Sequence, residues 1–231
     1  MLRKTVFSLC FLFAGASPLF AVTKGSFILY PQAGLGASSA FCSTWSGDRL
    51  SEDVTNSPGA FKDTVIPAPG YSLSIGCGID YLFTDSLAIT GGLFIDGTSF
   101  SVIYTAKTAL PNKEFIYSFT YFSIPAGLRF YGEIFIFGGG LYIDAPLASK
   151  LSVKYGGVTQ KDDDFKNRTT AGIFLDIGVY NQLKEENSLM VFCRLKNDVT
   201  SAYKGKKEEE AVTNIKRISF NITIAYGFIL N

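Results

Sequence analysis

Apolar and polar residues alternate along much of the chain with a period of two, a pattern that predicts β-strands rather than helices. From Tyr71 to Phe83, apolar side chains fill the odd positions, while small or polar side chains fill all but one of the even positions. Residues 218–230 repeat this alternation over a similar length. Counting every such segment gives eight predicted strands, at 25–36, 71–83, 87–104, 115–130, 134–144, 170–180, 189–196 and 218–230.

Short and long connections alternate between the predicted strands. Short turns fall at 84–86, 131–133 and 184–188, and long polar stretches fall at 37–69, 105–114, 147–168 and 199–214. An up-and-down barrel whose tight turns all lie at one rim has this order of connections. The sequence therefore predicts an all-β fold, an eight-stranded antiparallel up-and-down β-barrel.

Alternation alone leaves two orientations open for the apolar face. A soluble barrel of the lipocalin kind turns this face inward, and a membrane barrel turns it toward lipid. Charge is concentrated in the loops, and the predicted strands are longer than most globular strands. Aromatic residues also gather near strand ends, at Tyr71, Tyr81, Phe83, Phe130, Tyr131, Tyr226 and Phe228. We therefore predict a transmembrane barrel, which must be closed because lipid offers no partner to a strand edge.

The N-terminal residues predict export. Arg3 and Lys4 precede an apolar run that is too short to span a bilayer, and Ala21 is a suitable residue for cleavage. We expect a signal peptide at 1–21 and an outer-membrane β-barrel at 22–231, with localisation in the outer membrane of the cell. Removal of the signal peptide would change the net charge from +1 to −1.

The composition excludes several kinds of chemistry. The chain has no histidine, which excludes Ser-His-Asp and Cys-His catalysis and zinc bound by histidine. The 21 basic and 20 acidic residues nearly balance, so nothing indicates a nucleic-acid partner. An enzyme that uses acids alone, such as Asp80, Asp96 or Asp176, is the alternative, but ion pairing is the more usual role of carboxylates on an inward face. We therefore predict no enzymatic activity, no cofactor and no metal site.

Charged residues on the predicted inward face are the candidate functional residues. They are Asp80, Asp96, Arg129, Asp144, Asp176, Arg194, Lys196 and Asp198. Side chains can fill the interior of an eight-stranded barrel, and breaking a buried ion pair costs about 3–5 kcal/mol. One interpretation is therefore a salt-bridged plug, in which Arg129 and Arg194 each lie beside an acid. The other interpretation is a polar conduit for small solutes.

Three segments carry a resemblance to known proteins. The run Tyr121–Tyr131, with Phe137–Leu141 after the turn, resembles the small outer-membrane barrels of the PorT and OmpA-like families, in which an Ile-Pro strand precedes a Gly-rich strand. The ending Ile224–Leu230 is similar to the C-terminal signal of such barrels, although Asn231 stands where they have an aromatic residue. The resemblance implies outer-membrane lipid and the barrel-assembly machinery as partners, periplasmic termini, and external long loops.

Two functions follow from this interpretation. The first is a non-enzymatic outer-membrane barrel with a side-chain-packed lumen, whose extracellular loops act in the envelope or in surface interaction. Its candidate surface is Phe41, Trp45 and Phe61 in the predicted loop 37–69, which either bind an unknown extracellular ligand or fold onto the rim of the barrel. The alternative is a passive channel for small solutes, as in OmpW-like barrels.

Overall fold

The computed structural model describes residues 23–44, 64–105, 113–162, 165–184, 186–204 and 212–230. Most of these residues lie in strands. The strands are β1 (Phe27–Thr44), β2 (Thr64–Ala68), β3 (Gly70–Leu82), β4 (Leu87–Thr105), β5 (Lys113–Tyr131), β6 (Phe135–Tyr155), β7 (Val158–Asp162), β8 (Thr170–Lys184), β9 (Asn187–Asp198), β10 (Tyr203–Lys204) and β11 (Val212–Leu230). Within these ranges, no helix is long and apolar enough to cross a membrane.

Eight of the described strands close into a ring. Its order is β1, β3, β4, β5, β6, β8, β9 and β11, and neighbouring strands are antiparallel. β1 and β11 close the ring in a register that pairs Leu35 with Ile222. The short strands lie off this ring, where β2 pairs with β4, β7 with β6 and β10 with β11. This ring confirms the predicted eight-stranded antiparallel up-and-down barrel.

The outward and inward rows of the ring have opposite chemistry. Outward side chains are mainly apolar and exposed, as at Leu35 (65%), Leu141 (66%) and Ile222 (55%). Inward side chains, such as Asn221 and Thr223, are buried. A soluble monomer rarely exposes so large a continuous apolar surface, whereas hydrocarbon accepts it. The outward row therefore forms an apolar belt around a transmembrane barrel, and the inward orientation of the lipocalin kind is excluded.

The wall of the barrel differs in height around the ring. β4, β5 and β6 contain 19, 19 and 21 residues, whereas β3 and β9 contain 13 and 12. A tilted strand crosses a bilayer with ~9–11 residues, so β4–β6 are about twice as long as they need to be. The turns 83–86 and 132–134 mark one rim, here called the turn rim. The excess length lies at the opposite rim, here called the loop rim.

All four predicted long loops are partly wrong, because strands continue into them. β1 runs through residues 37–44, and β6 continues to Tyr155 before β7 returns antiparallel to it. Gly156 and Gly157 connect β6 to β7 with φ values of 57° and 84°, which glycine adopts without strain. Above the apolar belt the outward row faces water, so polar residues can occupy it and the alternation that identifies strands fades.

A bulge in β6 reverses which of its residues face inward. Tyr121 of β5 pairs with Pro146, but the next residue, Thr120, pairs with Ala148, so Leu147 is an extra residue. One extra residue in a strand shifts its side-chain alternation by one position. Asp144 therefore faces inward before the bulge, whereas Leu151, an odd-numbered residue, packs inward after it.

Candidate functional site

The barrel lumen holds a network of buried charges. All eight charged residues selected from the sequence lie on the inward row and are almost fully buried: Asp80, Asp96, Arg129, Asp144, Asp176, Arg194, Lys196 and Asp198. Strand pairing brings them together, since side chains directly opposite on one face lie about 4.5–5.5 Å apart at Cβ. Asp176 and Arg194 are such partners in the β8–β9 register. The network consists of two groups along the barrel axis.

The turn-side ion group contains Asp80, Arg129, Asp176 and Arg194. Arg129 bridges its two acids, with Nη1 2.8 Å from Asp80 Oδ2 and Nη2 2.8 Å from Asp176 Oδ2. Arg194 donates to Asp176 through Nε at 2.7 Å and Nη2 at 2.8 Å. Both arginines therefore make the ion pairs predicted for them, and the two positive charges balance the two negative charges.

Tyrosine hydroxyls complete the turn-side ion group. Tyr30 donates a hydrogen bond of 2.9 Å to Asp80 Oδ1, and Tyr131 donates to Asp80 Oδ2. The Tyr30 oxygen also accepts a hydrogen bond of 2.9 Å from Arg129 Nη1. Asp80 thus has a partner at each carboxylate oxygen, which is what a fully buried carboxylate needs.

The loop-side ion group contains Asp96, Asp144, Lys196, Asp198 and Arg217. Lys196 Nζ lies 2.6 Å from Asp96 Oδ2 and 3.0 Å from Asp144 Oδ1. Arg217 Nη2 lies 2.8 Å from Asp144 Oδ2, and Arg217 Nε lies 2.8 Å from Asp198 Oδ2. Asp144 therefore joins the two cations. This group has three acids but only two bases.

Arg217 is a member of the network that sequence reasoning missed. It lies on β11 and is 5% exposed, although the predicted strand begins only at Ile218. The alternation of β11 could have identified it. The inward row of this strand contains Ser219, Asn221 and Thr223, and the next inward position toward the N-terminus is 217. Its neighbour Lys216 faces outward, and the pair of basic residues beside the charged stretch 204–210 indicated a loop instead.

Aromatic rings lie over the buried cations. The guanidinium carbon of Arg217 is 3.9 Å from the centre of the Tyr121 ring, and Lys196 Nζ is 4.0 Å from that of Tyr142. The guanidinium carbon of Arg194 is 5.2 Å from the ring centre of Phe174. Such cation–π contacts stabilise charges that are removed from water. The cations are therefore enclosed by carboxylates and rings together.

An apolar cluster lies at each end of the network. The turn-side apolar cluster contains Ile28, Tyr30, Leu82, Ala88, Tyr131, Ile136, Tyr180, Met190, Phe192, Ala225 and Ile229. The loop-side aromatic cluster contains Ala40, Phe100, Val102, Tyr117, Phe119, Tyr121, Phe165, Tyr203 and Ile215. Phe165 comes from the segment between β7 and β8, and its ring centre lies 4.6 Å from that of Tyr203 and 5.8 Å from that of Phe119. The charges thus lie between two apolar layers.

The predicted loop surface lies only partly within the described residues. Phe41 is on β1, where it pairs with Lys216 and faces outward with 62% of its surface exposed. Its assignment to a loop was wrong, because β1 continues above the apolar belt. Trp45 and Phe61 lie outside the described residues, as does the predicted signal peptide at 1–21.

Comparisons with known proteins give similarities of shape. The outer membrane protein OprG from Pseudomonas aeruginosa is 12% identical with a TM-score of 0.47, over 90% of this chain and 97% of that one. The outer membrane protein AlkL is 10% identical with a TM-score of 0.47, over 90% and 92%. The outer membrane protease OmpT from Escherichia coli is 9% identical with a TM-score of 0.45, over 89% and 97%.

Sequence comparison adds no relative. No protein-family model matches the chain, and no curated protein matches it. The resemblance to the PorT, OmpA-like and OmpW-like families stays a prediction. The evidence for the eight-stranded barrel is the strand pairing within the chain itself.

Proposed function

We propose that this chain is a non-enzymatic outer-membrane barrel with a closed lumen, which acts in the cell envelope through the surface at its loop rim. The observation that carries the proposal is the layered lumen, in which two ion groups lie between the turn-side apolar cluster and the loop-side aromatic cluster. A conducting pore needs a continuous path of water along its axis, and the two apolar layers interrupt such a path.

The apolar belt and the uneven wall support an outer-membrane location. A closed ring of strands with an apolar outer face is one of the two kinds of structure that can span a bilayer. Barrels of this kind in bacterial outer membranes have short turns at the periplasmic side and longer segments outside. By that rule the turn rim lies in the periplasm, and the loop rim lies outside the cell.

The loop rim offers an accessible surface built on strands. The loop-rim parts of β5 and β6, together with β7, form a sheet above the belt, here called the loop-rim extension. Its residues Lys154 and Glu114 form an exposed ion pair of 3.5 Å, and Val158 and Thr159 are exposed on β7. A solvent-exposed sheet at the rim can contact other surface molecules.

The ion pairs of the lumen argue against enzymatic activity. Asp80, Asp96 and Asp176, the acids considered for an acid-only mechanism, each lie within 2.8 Å of a cation. A carboxylate that is buried and paired in this way cannot readily exchange protons with a substrate. The same ion pairs oppose the alternative of a passive channel, which no observation in the described residues favours.

Bilayer conductance tests the closed lumen. The protein, refolded in detergent and shown to be folded by its heat-dependent shift on a gel, is reconstituted into planar bilayers beside a conducting porin that reports insertion. We expect no current steps at either polarity in several chloride salts. Steps that recur with a single unit conductance would contradict the closed lumen and support the channel.

Surface labelling tests the orientation. Thr159→Cys places a thiol on β7, and Glu133→Cys places one in the turn after β5; both positions are exposed. On intact cells, a membrane-impermeant maleimide should label the first variant and label the second only after lysis. Labelling of Glu133→Cys on intact cells, with Thr159→Cys protected, would reverse the proposed orientation.

A further inference from the structure

The two ion groups of the lumen differ in charge balance. The turn-side ion group has two acids and two bases, whereas the loop-side ion group has Asp96, Asp144 and Asp198 against Lys196 and Arg217. The loop-side ion group therefore carries one negative charge in excess. An uncompensated charge is strongly unfavourable inside a barrel that is surrounded by lipid.

A small cavity lies beside this unbalanced group. Its volume is about 10 Å³, measured as the space open to the centre of a water molecule. This is about the smallest volume that can hold one water molecule or one small ion. The lining residues include Asp96, Thr98 and Asn221 together with the hydroxyl residues Ser72 and Ser219. Lys196 and Arg217 also line the cavity, and each is already paired with two acids of the loop-side ion group.

Three of the lining residues have an oxygen without a partner. Asp96 Oδ1, Thr98 Oγ1 and Asn221 Oδ1 are buried and accept or donate no hydrogen bond among the described residues. Their side chains are 7%, 5% and 2% exposed, so bulk water does not solvate them. A carboxylate oxygen and an amide oxygen can only accept, so either a water molecule or a cation would satisfy both, and the excess negative charge favours the cation.

We propose that this cavity is a binding site for one monovalent cation of the sodium class. Hard cations take oxygen ligands, and the site offers a carboxylate, an amide and hydroxyl groups. A single positive charge also neutralises the excess charge of the loop-side ion group. A divalent ion would leave an excess of the opposite sign.

The stability of the folded barrel in different salts tests the site. The refolded protein is heated in an uncharged detergent with sodium, potassium or choline chloride, at equal ionic strength and constant pH. A cation that binds only the folded state raises the unfolding midpoint with its concentration, by on the order of 5–10 °C at a hundredfold excess over its dissociation constant. We expect this rise with sodium and not with choline.

Two threonine variants separate the site from general effects of salt. Thr98→Val removes one oxygen ligand with little change in shape and should abolish or strongly reduce the sodium-dependent rise. Thr223→Val removes another buried hydroxyl without a partner, which does not line the cavity, and should keep the full rise. Equal responses of both variants would overturn the proposal.

Crystals grown in sodium chloride and measured at high resolution provide the direct measurement. A density peak close to Asp96 Oδ1 and Asn221 Oδ1 is expected, with oxygen distances shorter than those of hydrogen bonds to water. A water molecule at that position, together with midpoints that are equal in sodium and choline, would overturn the proposal.

Discussion

The two halves of the lumen bury charge in different ways. In the turn-side half, Arg129 bridges two acids, and Tyr30 and Tyr131 donate hydrogen bonds to Asp80. The charges of this group are therefore balanced within the protein, although Arg129 Nε is buried without a hydrogen-bond partner among the described residues. In the loop-side half, the acids outnumber the bases and a cavity adjoins them. The turn-side ion group therefore neutralises its own charges, whereas the loop-side ion group leaves one negative charge without a cation from the protein.

Removal of Arg129 should have the largest effect on the turn-side half. Arg129→Met leaves Asp80 without a cation and Asp176 with Arg194 alone, so the free energy of unfolding should fall by about 3–5 kcal/mol. Urea unfolding of the protein in lipid vesicles, followed by far-ultraviolet circular dichroism, measures this. Lys154→Met, which breaks an exposed ion pair on the loop-rim extension, should lose less than about 1 kcal/mol. Similar losses in both variants would contradict the plug.

An arginine on the outer face should distinguish the belt from the extension above it. Ile222→Arg places a charge among the belt residues of β11 and should lower the free energy of unfolding by ~2–4 kcal/mol if it lies near the middle of the bilayer. Ile116→Arg lies on the outward row of β5 above the belt, next to Glu114, where the loss should be about 0–1 kcal/mol. The same unfolding measurement checks both. A greater loss at Ile116 would contradict the position of the belt.

Close packing in the turn-side half predicts a smaller effect at Gly78. A Cβ atom at this residue would lie 2.2 Å from the ring of Tyr30, whereas one at Gly97 on the neighbouring strand would meet nothing within 4 Å. Gly78→Ala must therefore displace Tyr30 from Asp80 and should lower the free energy of unfolding by about 1–3 kcal/mol. Gly97→Ala should be nearly neutral. An equal response at both glycines would show that the lumen can relax around Tyr30.

Particular residues show how much of this architecture could be predicted from the sequence. The lumen charges from Asp80 to Asp198 could be assigned because lipid on one side enforces strict alternation, so parity alone identifies the inward row. Above the belt this constraint ends, and the predicted loops proved to be partly strand. The bulge at Leu147 shifts parity without a sequence signal, and Arg217 was missed although its row continues from Ser219.

Which residues meet in the lumen could not be predicted. Asp144 contacts both Lys196 and Arg217 from across the barrel, and these contacts depend on the register of every strand between them. The odd or even number of a strand residue indicates whether its side chain faces inward. It does not indicate the height of that side chain along the barrel axis relative to residues of distant strands. The sequence assignment placed five acids and three bases on the inward row, an excess of two negative charges, and Arg217 lowers this excess to one.

The smallest predicted effect concerns the turn between β6 and β7 and tests whether the loop-rim extension unfolds separately from the barrel. Gly157 has a φ of 84°, so Gly157→Ala should cost about 1–2 kcal/mol locally, whereas Gly157→Asn should cost less because asparagine tolerates this conformation. Among the described strands, β7 pairs with β6 alone, and none of its residues belongs to the apolar clusters of the lumen. Amide exchange in β7 should therefore accelerate by about 5–30-fold, while the global unfolding midpoint stays unchanged. A matching fall in the global midpoint would show that the extension and the belt unfold as one unit.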